Sequence, residues 1–163
     1  MSTIDDLKSA LSGESKAYMK YIAAARVAEK EGRPQSARLF KALAEAEIIH
    51  AQNHLMVMGE VRGTNENLEN AIDGETYEFT QMYPTFIAQA EREGNQRALI
   101  SFRGAMAAEK AHSELLVAIQ KLDGNETDSK YFICPVCGNI TVGNAPEKCS
   151  TCNASGSRFK TIE

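Results

Sequence analysis

The first 133 residues contain no cysteine, and all four cysteines of the 163-residue chain fall between Cys134 and Cys152. A disulfide framework spreads its cysteines over the fold and suits an oxidising compartment, so this clustering points to metal instead. No apolar run approaches the ~20 residues needed to cross a bilayer. The start, Met1-Ser-Thr-Ile-Asp-Asp6, lacks the basic and then apolar regions of a signal peptide, so a cytoplasmic location is expected. No cluster of Lys or Arg offsets a formal charge of −4, which argues against a nucleic-acid partner. With 43% hydrophobic and 25% charged residues, what is present is an ordinary soluble composition, enough for a real core.

Residues 3 to about 122 read as helix interrupted by turns. Ser2, Thr3 and Asp5 supply capping groups for a first helix ending near Glu31-Gly32. Pro34 is placed to start a second, which runs to Met58-Gly59. Val61 to Asp73, with Gly63, Asn65, Asn67 and Asn70, reads as a connection of about a dozen residues that crosses a bundle. A third helix is expected from Gly74 to Glu93-Gly94, kinked at Pro84, and a fourth from Asn95 to Leu122. Alanine-rich faces such as Ala23 to Ala25 and Ala105 to Ala108 let helices approach closely. Four helices with one long crossover describe a ferritin-like bundle. The expected organisation is a helical bundle over 1–124, a polar linker over 125–130, and a small β-rich metal-binding domain over 131–163. So short a tail needs a staple to hold it.

One short motif recurs. The second helix carries Glu47-Ile-Ile-His50 and the fourth carries Glu109-Lys-Ala-His112. Residues three apart on a helix share a face, so each Glu and His can reach one metal pocket. The bundle rule asks for one Glu from each remaining helix. Glu14 is the candidate on the first, and Glu75 and Glu78 are candidates on the third. A Glu-x-x-His arises by chance on many solvated helices, where it is surface charge. Its repetition beside apolar Ile48, Ile49, Ala108 and Ala111 argues for inward carboxylates, and burying those without cations is prohibitively costly. Oxygen-rich ligation with two imidazoles suits iron or manganese. Five carboxylates leave one Glu to spare, so an anionic ligand can replace a neutral imidazole on oxidation, and Glu78 and His50 are the expected exchanging pair. His54 reads as a packing or supporting residue. Tyr18, Tyr21, Tyr77 and Tyr83 read as core aromatics, with Tyr21 and Tyr83 close enough to the metals to hydrogen-bond a ligand. Met56, Met58 and Met106 read as core.

In the tail, Cys134-Pro-Val-Cys137-Gly138 and Cys149-Ser-Thr-Cys152-Asn153 form two Cys-x-x-Cys knuckles. Four thiolates so spaced make a tetrahedral site for zinc, as a structural module, or for iron, as a one-electron carrier.

Glu14, Glu47-x-x-His50, Gly74-Glu75-x-Tyr77-Glu78 leading to Met82-Tyr83-Pro84, Glu109-x-x-His112 and the four-cysteine tail together resemble the rubrerythrin family over nearly the whole chain. The stretch from Gly143 to Cys149 is also similar. The resemblance implies a cytoplasmic non-haem di-iron peroxidase that reduces hydrogen peroxide to water in oxidative-stress defence. Its tail would hold one iron in a rubredoxin-type four-cysteine site. Glu47 and Glu109 would bridge two irons, Glu14 and Glu75 would be terminal ligands, and His112 a fixed imidazole. His50 and Glu78 would exchange with redox state, beside Tyr21 and Tyr83 near the bound peroxide. A rubredoxin or an NAD(P)H-dependent reductase would donate electrons. The family resemblance also implies a homodimer or higher homo-oligomer in which one subunit's rubredoxin centre lies near the other's di-iron site, in some members with helices exchanged. Two other readings compete, a ferroxidase or iron-handling protein and a zinc-ribbon binding module on a helical bundle.

Overall fold

The computed structural model describes residues 2–124 and 128–163. They form two compact units, residues 1–62 and 63–163, dividing at Arg62 and Gly63. The first unit is a helical hairpin of α1 (Thr3–Lys30) and α2 (Pro34–Met58). The Ser2 side chain accepts from the Asp5 N–H while the Asp5 carboxylate takes the Ser2 N–H, closing a capping box. Gly32, in the left-handed region at φ 68°, turns the chain, and Pro34 opens α2. Ala37, Ala44 and Ala51 are buried at seven-residue spacing on α2, and Ala25 and Ala28 on α1. Small side chains on a heptad stripe let the two backbones approach along their length.

The second unit packs α3 (Thr64–Tyr77), a π-helical turn (Glu78–Met82) and α4 (Tyr83–Arg92) as one bent helix on α5 (Gln96–Gln120). Asn95 caps α5, its side chain accepting from the Ala98 N–H. The expected long connection is not one. Helix α3 begins at Thr64, so only residues 59–63 join it to α2. The asparagines are weak helix formers, but Leu68, Ala71, Ile72 and Glu75 fall at i, i+3, i+4 and i+7 and give α3 a half-buried face. At Pro84 the break takes the form of the π turn just before it.

The tail is a three-stranded antiparallel sheet in the order β2 (Ile140–Val142), β1 (Tyr131–Ile133), β3 (Lys160–Ile162). The expected 125–130 linker falls partly outside the described residues, which omit 125–127. Gly156 holds the sheet's return. A Cβ there would lie 1.6 Å from the Pro146 carbonyl oxygen, and the Gly156 N–H donates to the Glu147 carbonyl at 2.8 Å. Gly156→Ala should therefore cost the tail about 3 kcal/mol by forcing backbone apart. Loss of the tail's visible absorption at a lower denaturant concentration than wild type would check it.

Two core expectations fail. Met56 is 65% exposed and Tyr77 53% exposed, because each points away from the face on which its helix packs.

Candidate metal centres

Within the hairpin, Glu14 on α1 and Glu47 and His50 on α2 bring one ligand atom each within 4.8 Å of one another. His50 Nδ1 lies 3.2 Å from Glu47 Oε2. The Glu14 carboxyl is held above its usual range, first by its hydrogen bond with Glu47, with burial and the Glu47 charge adding to it. The charges of His50 and His54 oppose that shift. Tyr21 stacks on Phe40 with ring centroids 6.1 Å apart.

In the second unit, Glu75 near the end of α3 meets Glu109 and His112 on α5, again within 4.8 Å. His112 Nδ1 lies 2.8 Å from Glu109 Oε2 and 3.7 Å from Glu75 Oε2. Its other nitrogen, Nε2, is 3.1 Å from the Gly138 carbonyl oxygen. A carbonyl only accepts, so Nε2 carries the proton, and in neutral imidazole the Nδ1 lone pair faces the carboxylates. Metal-ligating histidines are held in this way, one nitrogen tied to a carbonyl and the other free for the ion. Burial raises the Glu109 carboxyl, and the neighbouring Glu75 charge adds to the effect while His112 opposes it. Carboxylates crowded in this way, each raising the other's pKa, fit divalent cations well.

Glu78 opens the π turn and does not join the three-residue group. Its charge still reaches Glu109 and Tyr83. Tyr83 is raised by burial first, then by Glu109, Glu78 and Glu75, so its phenol keeps its proton. Beside the cluster, Thr76 Oγ1 and Ser113 Oγ share a hydrogen bond of 3.1 Å that ties α3 to α5. Thr76 and Ser113 follow Glu75 and His112 in sequence. Nothing in the sequence marks that pairing, because it exists only once the helices are packed.

The tail's four sulfurs form a third group within 4.8 Å, with Cys134 to Cys152 and Cys137 to Cys149 each 3.6 Å apart. Tetrahedral thiolates with metal–sulfur bonds of about 2.3 Å place their sulfurs about 3.8 Å apart, whereas a disulfide needs about 2 Å. The spacing is that of a metal site. Each knuckle closes alike. Cys134 N–H donates to Asn139 and Gly138 N–H to Cys134, while Cys149 N–H donates to Ala154 and Asn153 N–H to Cys149. Gly138 at φ 84° and Asn153 at φ 59° adopt the left-handed turn this requires. Burial pushes the Cys134 thiol up, but the Cys137 and Val136 N–H groups and the facing sulfurs more than offset it, bringing it to about 7. Burial raises Cys137 and Cys152. The first knuckle lies against α5 of its own chain, where a Cβ on Gly104 would sit 3.7 Å from the Cys137 Cβ. Sequence reasoning found all four cysteines but not the Gly138 contact with His112, which spans 26 positions. Among the described residues, no helix is long and apolar enough to cross a membrane.

Comparison with known proteins agrees with this geometry. The Rubrerythrin family model matches residues 5–120, and the model of the rubrerythrin rubredoxin-like domain matches residues 132–160. The chain is 39% identical to nigerythrin of Nitratidesulfovibrio vulgaris, over 93% of this chain and 82% of that protein. It is 37% identical to rubrerythrin-2 of Clostridium acetobutylicum, over 98% of this chain and 96% of that one. A structure of nigerythrin in its fully reduced, all-ferrous state matches with a TM-score of 0.61 and 35% identity, covering 99% of this chain and 87% of that chain. A mixed-valence structure of nigerythrin gives the same TM-score at 36% identity and the same coverage. The cofactors are a di-iron centre and one iron in the four-cysteine site. The chain belongs to the rubrerythrin family, with a mainly helical ferritin-like fold and a small rubredoxin-like metal domain at its C-terminal end.

Proposed function

We propose that this protein is a non-haem di-iron peroxidase that reduces hydrogen peroxide to water, with electrons relayed through its rubredoxin-like centre in oxidative-stress defence. The proposed iron ligands are Glu14, Glu47 and His50 in the first unit and Glu75, Glu78, Glu109 and His112 in the second, within a helical di-iron region over 1–124. The four-cysteine domain spans 131–163, and a rubredoxin or an NAD(P)H-dependent reductase supplies the electrons. When bound, the two irons supply the electron pair that breaks the O–O bond of peroxide, and two protons complete two waters.

The chain's own groups have distinct tasks. Glu47 and Glu109 would serve as bridging carboxylates when iron is bound, and Glu14 and Glu75 as terminal ligands. His112 stays fixed because its Nε2–H is held by the Gly138 carbonyl. His50, whose side chain is 55% exposed, and Glu78 would be the pair of ligands that differs between redox states. Tyr83, kept protonated by burial and three carboxylates, is an O–H donor for the substrate, and Tyr21 is its counterpart in the hairpin. The observation that carries this reading is the position of His112. One imidazole touches Glu75 and Glu109 on one side and the backbone beside Cys137 on the other. A short covalent and hydrogen-bonded path therefore joins the two groups of metal ligands.

Stopped-flow mixing tests the substrate. The fully reduced protein should be reoxidised much faster by hydrogen peroxide than by oxygen at equal concentration. Faster reaction with oxygen would defeat the peroxidase reading and favour an iron-handling role.

A further inference from the structure

The π-helical turn at Glu78–Met82 lies between two candidate metal-site residues, Glu78 and Tyr83. In an α-helix, residue i+4 shares a face with residue i, whereas residue i+5 is rotated a further ~100° away. Tyr83 is five residues after Glu78. Here the Tyr83 N–H bonds to the Glu78 carbonyl, the i+5 pattern of a π turn, so Tyr83 occupies the place that i+4 holds in an α-helix. The inserted residue brings the phenol onto the face of the carboxylates. The charges of Glu75, Glu78 and Glu109 all act on it there. Its ring packs against Phe86 at 6.1 Å and, on α5, against Phe102 at 6.2 Å.

The sequence around the turn favours this register. Thr80 Oγ1 donates to the Thr76 carbonyl at 2.6 Å, and Thr85 Oγ1 to the Gln81 carbonyl at 2.9 Å. Threonine bonds back to the i−4 carbonyl compete with the helical ladder and bend it. Pro84 has no N–H, so the α-helical bond to the Thr80 carbonyl cannot form. We propose that Thr80 is a positioning residue that, together with Pro84, holds the widened turn and so sets Tyr83 on the carboxylate face. The consequence for turnover rests on the peroxidase reading. The register itself does not.

The test uses NMR on the full-length protein with diamagnetic zinc(II) in place of iron, with NOEs between the Tyr83 and Phe102 rings as the readout. Wild type should show them. Thr80→Val with Pro84→Ala should lose them, since a restored α-helical turn rotates Tyr83 away from α5. Thr80→Val alone, the milder change, should weaken them, and Thr80→Ser, which keeps the hydroxyl, should retain them. Wild-type NOEs in both valine variants would show that packing alone sets the register and would overturn the proposal. Loss in Thr80→Ser would overturn it equally. No redox-active metal and no peroxide enters the measurement, so either result leaves the reaction with peroxide to be judged separately.

Discussion

Glu109→Gln should lower peroxide turnover by more than about 100-fold while leaving the metal-free protein at least as stable as wild type. Removing a group that merely orients a metal ligand costs 10- to 100-fold, and Glu109 is proposed as a bridging ligand itself. The stability expectation follows from its protonation. Its folded-state pKa is raised, first by burial and then by Glu75, so the ionised form is disfavoured in the fold. That penalty is absent below the usual glutamate value of about 4.5 and is present in full above the raised one. A neutral amide escapes it at pH 7. Thermal melts should therefore show an unchanged or higher midpoint for the metal-free variant, and much of the gain that wild type shows on iron loading should vanish. Glu114→Gln, an exposed change on the same helix, should alter neither. A destabilised metal-free variant would mean that Glu109 serves folding rather than metal.

Cys134→Ser should separate the two halves of the reaction. Cys134 is buried, and its thiolate is favoured by the N–H groups of Cys137 and Val136. With one of four thiolates gone, the tail should lose its iron and much of its sheet, since a closed metal site of this kind supplies folding energy directly. Turnover driven by a reductase should then disappear. Protein reduced chemically beforehand should still consume hydrogen peroxide once, because the carboxylate ligands are untouched. Retained reductase-driven turnover would contradict the relay.

Much of this was legible in the residues. Glu-x-x-His works at the sequence level because helical periodicity alone sets two side chains on one face, and both copies are seen drawn together with a further Glu, Glu14 or Glu75. The knuckles were legible for a similar reason, since Gly138 and Asn153 are residues that tolerate the left-handed turn. The α3 segment was misread because turn-forming asparagines outweighed the apolar stripe through Leu68, Ala71 and Ile72. The π turn was only half visible. Pro84 signalled a break, but the threonine hydroxyls at 80 and 85 that shape it speak only through their hydrogen bonds. The link from His112 to Gly138 was invisible, because a backbone carbonyl carries no sequence signature.

Visible spectroscopy with iron and zinc counts, on protein purified from its native source, tests the central claim most directly. Seven carboxylate and imidazole groups and four thiolates should hold about three irons per chain, with the red colour of a tetrathiolate ferric centre. A colourless protein with zinc bound to the cysteines would contradict the account.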